Sequence, residues 1–475
     1  MLIGGKLVES EGGKWSVSIS PATEEPIGRV PEATIEDVNR AVAAAEIAWP
    51  DWAALAPMKR AAVMNRFADA IAARAAEILH VEVSDTGNTI RPMRMIDVPT
   101  AVESLRYYAG LAPDLRGETI PATTEHLHIT LHEPYGVVAR IAPFNHPIMF
   151  AVARTAAALA AGNAVIVKPP ETSPLSAMIL AEVAAQTLPP GVFNIVTGDG
   201  RGPGDFIVRH PGIKRIAFIG SPMTGRAIQR AAAEVAVKHV TLELGGKNPM
   251  IVFPDCDPDR VAEAAVMGMN FSWQGQSCGS LSRLLLHEDI YDRVLTALVD
   301  RVAALKMGDP LNETTDVGPV NSQAHMERIL AHCANADADG ARRMLGGGRA
   351  KGADFERGFW IEPTIYADVT PKLRLWQQEV FGPVLAVGKW REFDEAVTMA
   401  NSTEYGLTGA VWTNDITQAL RMARRVRSGY IWINGSSMHF LGVPFGGVKS
   451  SGVGREEGRE ELLSYTETKT INIML

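Results

Sequence analysis

The spacing of apolar residues changes period several times along the chain, and each change predicts a different element. Residues 1–10 read as a short hairpin turning at Gly4-Gly5. Thr34-Ile-Glu-Asp37 is a capping signal, and an Ala-rich helical period follows it through Ala48; Pro57 then seeds a second helix over 58–85. Across 124–141 the period drops to two, in His126-Leu-His-Ile-Thr-Leu-His132 and Gly136-Val-Val-Ala-Arg-Ile141, which predicts two strands. Short apolar runs at 164–167, 194–196, 216–219 and 239–242 alternate with helical stretches at 173–187, 203–209 and 223–236. Such alternation predicts an α/β fold with a parallel sheet covered on both faces. A second α/β series fills 248–455, with strands expected at 250–253, 283–287, 384–389, 410–412 and 430–434; the division between the series falls near Gly245-Gly246.

The C-terminal run 468–474 alternates polar and apolar residues far from either series, and with residues 117–133 it can form an arm that pairs with a neighbouring subunit. A simple edge strand is the plainer alternative. At 475 residues the chain exceeds the roughly 250–300 at which single cores stop growing, so two or more domains are expected. With 46% hydrophobic and 21% charged residues the composition is that of an ordinary globular protein. A net charge of −8 leaves no basic footprint for nucleic acid, and Arg421, Arg424, Arg425 and Arg427 read as a solvated helix face. The most apolar stretch, 147–167, is broken by Arg154 and Gly162-Asn163, which argues for a buried helix and strand rather than a membrane span. The start lacks the basic and apolar regions of a secretion signal. Three scattered cysteines, Cys256, Cys278 and Cys333, make no disulfide framework and fit a reducing cytoplasm.

Phe271-Ser-Trp-Gln-Gly-Gln-Ser-Cys278 places one cysteine behind a Gly-Gln-Ser turn. A lone cysteine is usually a small buried hydrophobe. Cys278 gains meaning from Glu243 in Leu242-Glu-Leu-Gly-Gly-Lys247, Asn145 in Pro143-Phe-Asn-His146, and Lys168 with Glu171 in Val167-Lys-Pro-Pro-Glu171. These offer a base, an oxyanion donor and cofactor contacts. Glu243 ends an apolar run before two glycines that leave its carboxylate facing open space, or it makes a strand-end salt bridge. Its approach to Cys278 is a tertiary expectation that spacing cannot supply. No Gly-x-Gly-x-x-Gly occurs; instead Phe218-Ile-Gly-Ser-Pro-Met-Thr-Gly225 follows an apolar run and opens a helix, so Gly220 and Ser221 can meet a pyrophosphate or simply cap the helix. Lys168 and Glu171 sit at a strand's carboxyl edge, where open α/β sheets bind ligands, and can hydrogen-bond ribose hydroxyls or pair with each other at the surface. A carboxylate there repels a phosphorylated ribose, which favours NAD over NADP, with Lys168 as an offset.

Together these motifs resemble the aldehyde dehydrogenase superfamily over essentially the whole chain: Phe-x-x-x-Gly-Gln-x-Cys at 271–278, the glutamate box at 242–247 and Pro-Phe-Asn at 143–145 stand in the family's order. Glu379-Val-Phe-Gly-Pro383, Asn434-Gly435 and Pro444-Phe-Gly-Gly-Val-Lys449 add to the match. The resemblance implies a Rossmann-like NAD-binding domain from 1–114 and 135–245, a catalytic α/β domain from 246–457, and a small β oligomerisation arm from 115–134 and 458–475. It also implies a homodimer or homotetramer, a small-molecule aldehyde as substrate, NAD as cofactor with NADP left open, and no metal. In its chemistry Cys278 attacks the aldehyde carbon as thiolate, the Asn145 amide and the Cys278 N–H hold the oxyanion, and hydride leaves for the nicotinamide. Glu243 then deprotonates the water that hydrolyses the thioester, while Glu379 holds the nicotinamide ribose and Phe381 lies beside the ring. Lys168 counts among both catalytic and cofactor residues, and Ala142, Pro143, Phe144, Glu171, Gly220, Ser221, Gly225 and Leu244 complete the cofactor set.

Two departures stand out. Pro222 replaces a common threonine after Gly220-Ser221, which removes one polar cofactor contact, and His146 follows the asparagine where an aromatic is usual. By the same resemblance His146, Met149, Ala153, Ser272, Trp273, Ser277, His439 and Phe445 border the substrate tunnel, and Ala153 in place of a bulky aromatic widens it, so medium-sized or aromatic aldehydes fit. His146 and His439 have packing roles as their plainer alternative. A CoA-acylating relative has no need of Glu243 as a base. A cysteine hydrolase needs a histidine motif that none of the eleven histidines supplies, and a non-catalytic scaffold protein has no use for Cys278 and Glu243 together.

Overall fold

Gly4 and Gly5 both take positive φ, and the turn they make pairs Leu2–Ile3 with Lys6–Leu7. This hairpin opens the computed structural model, which describes residues 1–475. It forms one edge of an eight-stranded sheet whose five central strands are parallel. Their order across the sheet is Phe193–Ile195, Ala164–Lys168, Val137–Ile141, Arg215–Gly220 and His239–Leu244. The chain enters at the middle strand, winds one way, then returns and winds the other, so strand order reverses beside Val137–Ile141. The crevice at the carboxyl ends of Val137–Ile141 and Arg215–Gly220 is therefore the switch point at which such sheets bind ligands. One face is covered by helices Pro57–Ala73, Ile90–Leu111, Pro147–Ala161 and Ser176–Thr187, the other by Ile35–Ala54 and Pro222–Ala233. Alanine dominates Pro147–Ala161, and its small side chains let this almost wholly buried helix lie close against its neighbours.

The chain changes sheets between Leu244 and Pro249. The second sheet runs Arg342–Leu345, Thr364–Ala367, Val384–Trp390, Arg283–His287, Pro249–Val252, Thr408–Trp412 and Tyr430–Ile433, parallel except for its first strand. Near the end of this series the chain crosses back, and Gly452–Val453 pairs with His239–Leu244 of the first sheet. Only glycine permits that approach, because a Cβ on Gly452 would lie 2.3 Å from the Leu242 carbonyl oxygen at φ +153°.

A third sheet pairs Thr466–Met474 antiparallel along His126–Pro134, with Thr119–Ile120 on the far side. The helix expected over 58–85 is two, Pro57–Ala73 and Ala75–Thr86, broken where Arg74 leaves helical geometry and binds Glu77 and Glu182. The 22-residue helix Ile90–Leu111 has no counterpart in the sequence reading, since Pro92 and Pro99 disguise its pattern. No helix is long and apolar enough to cross a membrane.

Candidate active site

A cavity of about 670 Å³ opens at the switch point and reaches from the first sheet to the loop that carries Cys278. Lining it are Ala142, Pro143, Phe144 and Asn145 after one strand, Lys168 and Glu171 after the next, Gly220 and Ser221 after the third, and Glu243 and Leu244 at the end of the fourth. Cys278, Glu379 and Phe381 close it from the second α/β series. The structure thus gathers groups up to 239 positions apart (381 − 142) around one space. Gly225 stands just outside: a Cβ there would lie 2.9 Å from Leu244 Cδ2, so the glycine lets helix Pro222–Ala233 sit down on the strand.

The cysteine loop is fixed by side chains that reach its backbone. Asn270 and Gln274 adopt left-handed geometry, and a Cβ on Gly275 would meet the Gly382 carbonyl at 2.2 Å. Asn248 Nδ2 donates to the carbonyls of Cys278, at 2.7 Å, and Ser280, at 2.9 Å. Gln276 Oε1 accepts from Asn321 N–H, and Thr89 Oγ1 donates to Ser272 O. Asn145, only 4% exposed, donates one amide hydrogen to Gln276 O at 2.9 Å, while its own carbonyl accepts from Asn88 Nδ2 at 2.7 Å. A carboxamide nitrogen carries two hydrogens, so Asn145 keeps one donor for a ligand.

Burial governs the acid and the thiol. Glu243 is 5% exposed and neither carboxylate oxygen has a partner. Desolvation, reinforced by Glu456, pushes its carboxyl well above the usual range against the pull of Arg154, Arg455 and Arg140. The Cys278 thiol is pushed up to about 12 by desolvation, then by Glu379 and Glu243. Burial also raises Glu379 to about 7, although its Oε1 accepts the Gly246 N–H at 2.8 Å and Lys247 lies near. Gly245 yields to this side chain, since a Cβ there would fall 1.9 Å from Glu379 Oε2.

On the walls formed by the first sheet Lys168 is 4% exposed and donates to the Pro169 carbonyl, and Glu171 Oε2 accepts the Gly200 N–H at 3.0 Å. Ser221 caps helix Pro222–Ala233 by accepting the Thr224 N–H, with Pro222 as its first residue. Phe144, His325 and Phe381 pack edge to face, their centroids 5.6 to 6.0 Å apart. His325, Arg328 and Asn321 also line the cavity and were missed in the sequence. His325 and Arg328 stand on helix Gln323–Ala338 and Asn321 just before it, and only tertiary packing brings them to the cavity.

The expected substrate residues lie outside this space. His146 packs against Phe150 and Trp273, Ala153 is buried in helix Pro147–Ala161, and His439 stacks between Tyr430 and Phe445 while Glu457 faces its Nδ1. Met149 packs beside the small cluster of Ala142, Phe150 and Ile219, and Ser277 is half-buried next to Cys278.

Residues 7–471 match the aldehyde dehydrogenase family, and the chain belongs to that family. It is 43% identical over 478 aligned positions to aldehyde dehydrogenase tropH of Talaromyces stipitatus, covering 98% of this chain and 92% of that protein. Among solved structures it superposes with a TM-score of 0.97 on the NAD+ complex of aldehyde dehydrogenase from Bacillus cereus, at 37% identity over 100% of this chain and 96% of that one. The NAD-dependent aldehyde dehydrogenase of Sinorhizobium meliloti gives the same TM-score at 38% identity, covering 100% of this chain and 94% of the other.

Proposed function

We propose that this chain oxidises an aldehyde to its carboxylic acid with NAD, through a thioester on Cys278. The observation that carries the reading is one cavity holding a thiol, a spare amide donor on Asn145 and a carboxyl on Glu243 with both oxygens unpartnered. The remaining walls suit a dinucleotide: helix Pro222–Ala233 points its N-terminus there, and Lys168, Glu171 and Glu379 supply donors and acceptors for hydroxyl groups. When bound, NAD+ supplies the acceptor that takes hydride from the substrate carbon.

The chain's own residues do the rest. Cys278 Sγ gives up its proton to solvent and, as thiolate, bonds to the aldehyde carbon, while the Asn145 amide and the Cys278 N–H donate to the carbonyl oxygen, each such donor being worth about 2.7–4 kcal/mol in comparable acyl chemistry. Glu243 takes a proton from the water that attacks the thioester carbonyl, and Sγ departs. A CoA-acylating enzyme would release the acyl group to a thiol and leave Glu243 without a task. The arm of Thr466–Met474 and His126–Pro134 exposes Leu131, Ile471 and Met474, and this supports assembly with a second copy of the chain. An aldehyde panel with NAD and NADP, read as nicotinamide reduction, tests the reading: turnover is expected with NAD preferred, and Cys278→Ala should abolish it. A flat trace for every aldehyde with both cofactors would overturn it.

A further inference from the structure

The side chain after Asn145 is held as firmly as any in the site, yet the reaction above does not use it. His146 is 7% exposed, and its Nδ1 lies 3.1 Å from both carboxylate oxygens of Asp97, itself buried on helix Ile90–Leu111. A carboxylate only accepts, so Nδ1 carries a hydrogen toward Asp97 and the ring turns Nε2 the other way. Nε2 has no hydrogen-bond partner in the protein, and it is absent from the polar atoms sealed from solvent. Beside it the indole Nε1–H of Trp273 also lacks a partner, with the two ring centroids 5.3 Å apart at 70°. Phe150 packs edge-on against the imidazole from another side, at 5.9 Å.

Position ties this group to the reaction. Its Cα stands one peptide, about 3.8 Å, from that of Asn145, and Trp273 lies five positions before Cys278 on the same loop (278 − 273). Neither residue lines the cofactor cavity, whereas Asn145 and Cys278 do. His146 and Trp273 therefore lie outside the dinucleotide space, on the two segments that carry Asn145 and Cys278 into it.

We infer that His146, oriented by Asp97 and flanked by Trp273 and Phe150, is a specificity-determining residue that recognises a hydroxyl group on an aromatic aldehyde. The substrate hydroxyl hydrogen-bonds to Nε2, where a hydroxyl can donate or accept, whereas a carboxylate or an ether can only accept. The three aromatic rings favour a flat substrate over a polyol. This inference deepens the proposed function and rests on it.

The test compares kcat/KM for 2-, 3- and 4-hydroxybenzaldehyde with that for benzaldehyde, in the wild type and in His146→Phe. At least one hydroxylated isomer should be favoured about tenfold or more in the wild type, roughly what one added hydrogen bond gives. The phenylalanine variant should bring that ratio close to one. Asp97→Leu should lower it as well, because the ring loses the acceptor that fixes its orientation. A wild-type ratio near one for all three isomers, or a ratio unmoved in His146→Phe, overturns the inference while leaving aldehyde oxidation intact. If no aldehyde is turned over, it is the proposed function that fails. Should the variants not fold, inhibition of the wild type by the corresponding hydroxybenzyl alcohols decides, and binding no tighter than that of benzyl alcohol overturns the inference.

Discussion

Two buried polar regions meet along helix Pro147–Ala161, and they are built on different rules. At its middle, Arg154 pairs with Glu457 and lies 3.0 Å from Glu456, while Arg140 reaches Glu456 at 2.8 Å. Glu461 accepts the Tyr108 hydroxyl at 2.6 Å and the Glu457 N–H at 2.8 Å. Burial alone would raise Glu457, but Arg154 and then His439 overcome it and hold the carboxyl at about 2. Glu243, buried, and Cys278, partly buried, make no direct ion pair, and burial pushes both toward their neutral forms while Arg154 pulls only weakly the other way. Where carboxyls are paired directly, as Glu457 is with Arg154, they stay ionised and fixed; Glu461, which has only hydroxyl and amide donors, is pushed up to about 7 by burial. Where they are left unpaired, protonation can change, and that is what a nucleophile and a base require.

The sharpest way to break this contrast is to remove the base. Glu243→Gln should lower steady-state turnover by about 10²–10⁴, the usual worth of a general base. Because thiohemiacetal formation and oxidation precede hydrolysis, one equivalent of reduced cofactor per site should still appear in a fast burst. Rapid mixing with excess aldehyde reads both phases. A variant that turns over at the wild-type rate would remove Glu243 from the mechanism.

On the paired side the expected effect is on stability. Arg154→Leu leaves Glu457 buried without its arginine and Glu456 with Arg140 alone, and stripping one member from a buried ionic group costs about 3–5 kcal/mol. The denaturation midpoint should fall accordingly. Arg154 also pulls the Glu243 carboxyl down, so its loss raises that group further and should move the alkaline rise of kcat to higher pH. An unchanged midpoint would show the cluster to be ornamental, and the contrast between the regions would dissolve.

Much of one side of this contrast was legible in the chain and little of the other. The strands ending at Ile141, Lys168, Gly220 and Leu244 follow from short apolar runs; Lys168 and Glu171 were expected at the cavity because parallel sheets bind ligands at their carboxyl ends, whereas Ala142, Pro143, Phe144 and Leu244 came from the family resemblance. Cys278, Glu243 and Asn145 stood out because they recur in recognisable boxes. Asp97 did not, since it lies on a helix disguised by two prolines. Arg154 was visible only as a break in an apolar run, and its partners Glu456 and Glu457 sit some 300 positions away (456 − 154 = 302). Pairing across such a distance is decided by packing, and local pattern holds no trace of it.

The smallest effect sharpens the comparison most finely, because it reads the thiol directly. With the Cys278 thiol pushed up to about 12, first by desolvation and then by Glu379 and Glu243, the neutral form dominates in the free enzyme at neutral pH. Only thiolate reacts with iodoacetamide, so alkylation should keep rising through pH 10 without a plateau. Arg154 acts on Cys278 in the opposite sense, and Arg154→Leu should slow alkylation several-fold at any fixed pH below that range. A cationic group brought near the thiol should do the reverse, so the pyridinium ring of saturating NAD+, rather than the net charge of that ligand, should accelerate the reaction and shift the profile to lower pH. A plateau near pH 7 without cofactor would mean that the free protein already holds a thiolate, and the idea that unpaired burial keeps the site neutral until a ligand arrives would be wrong.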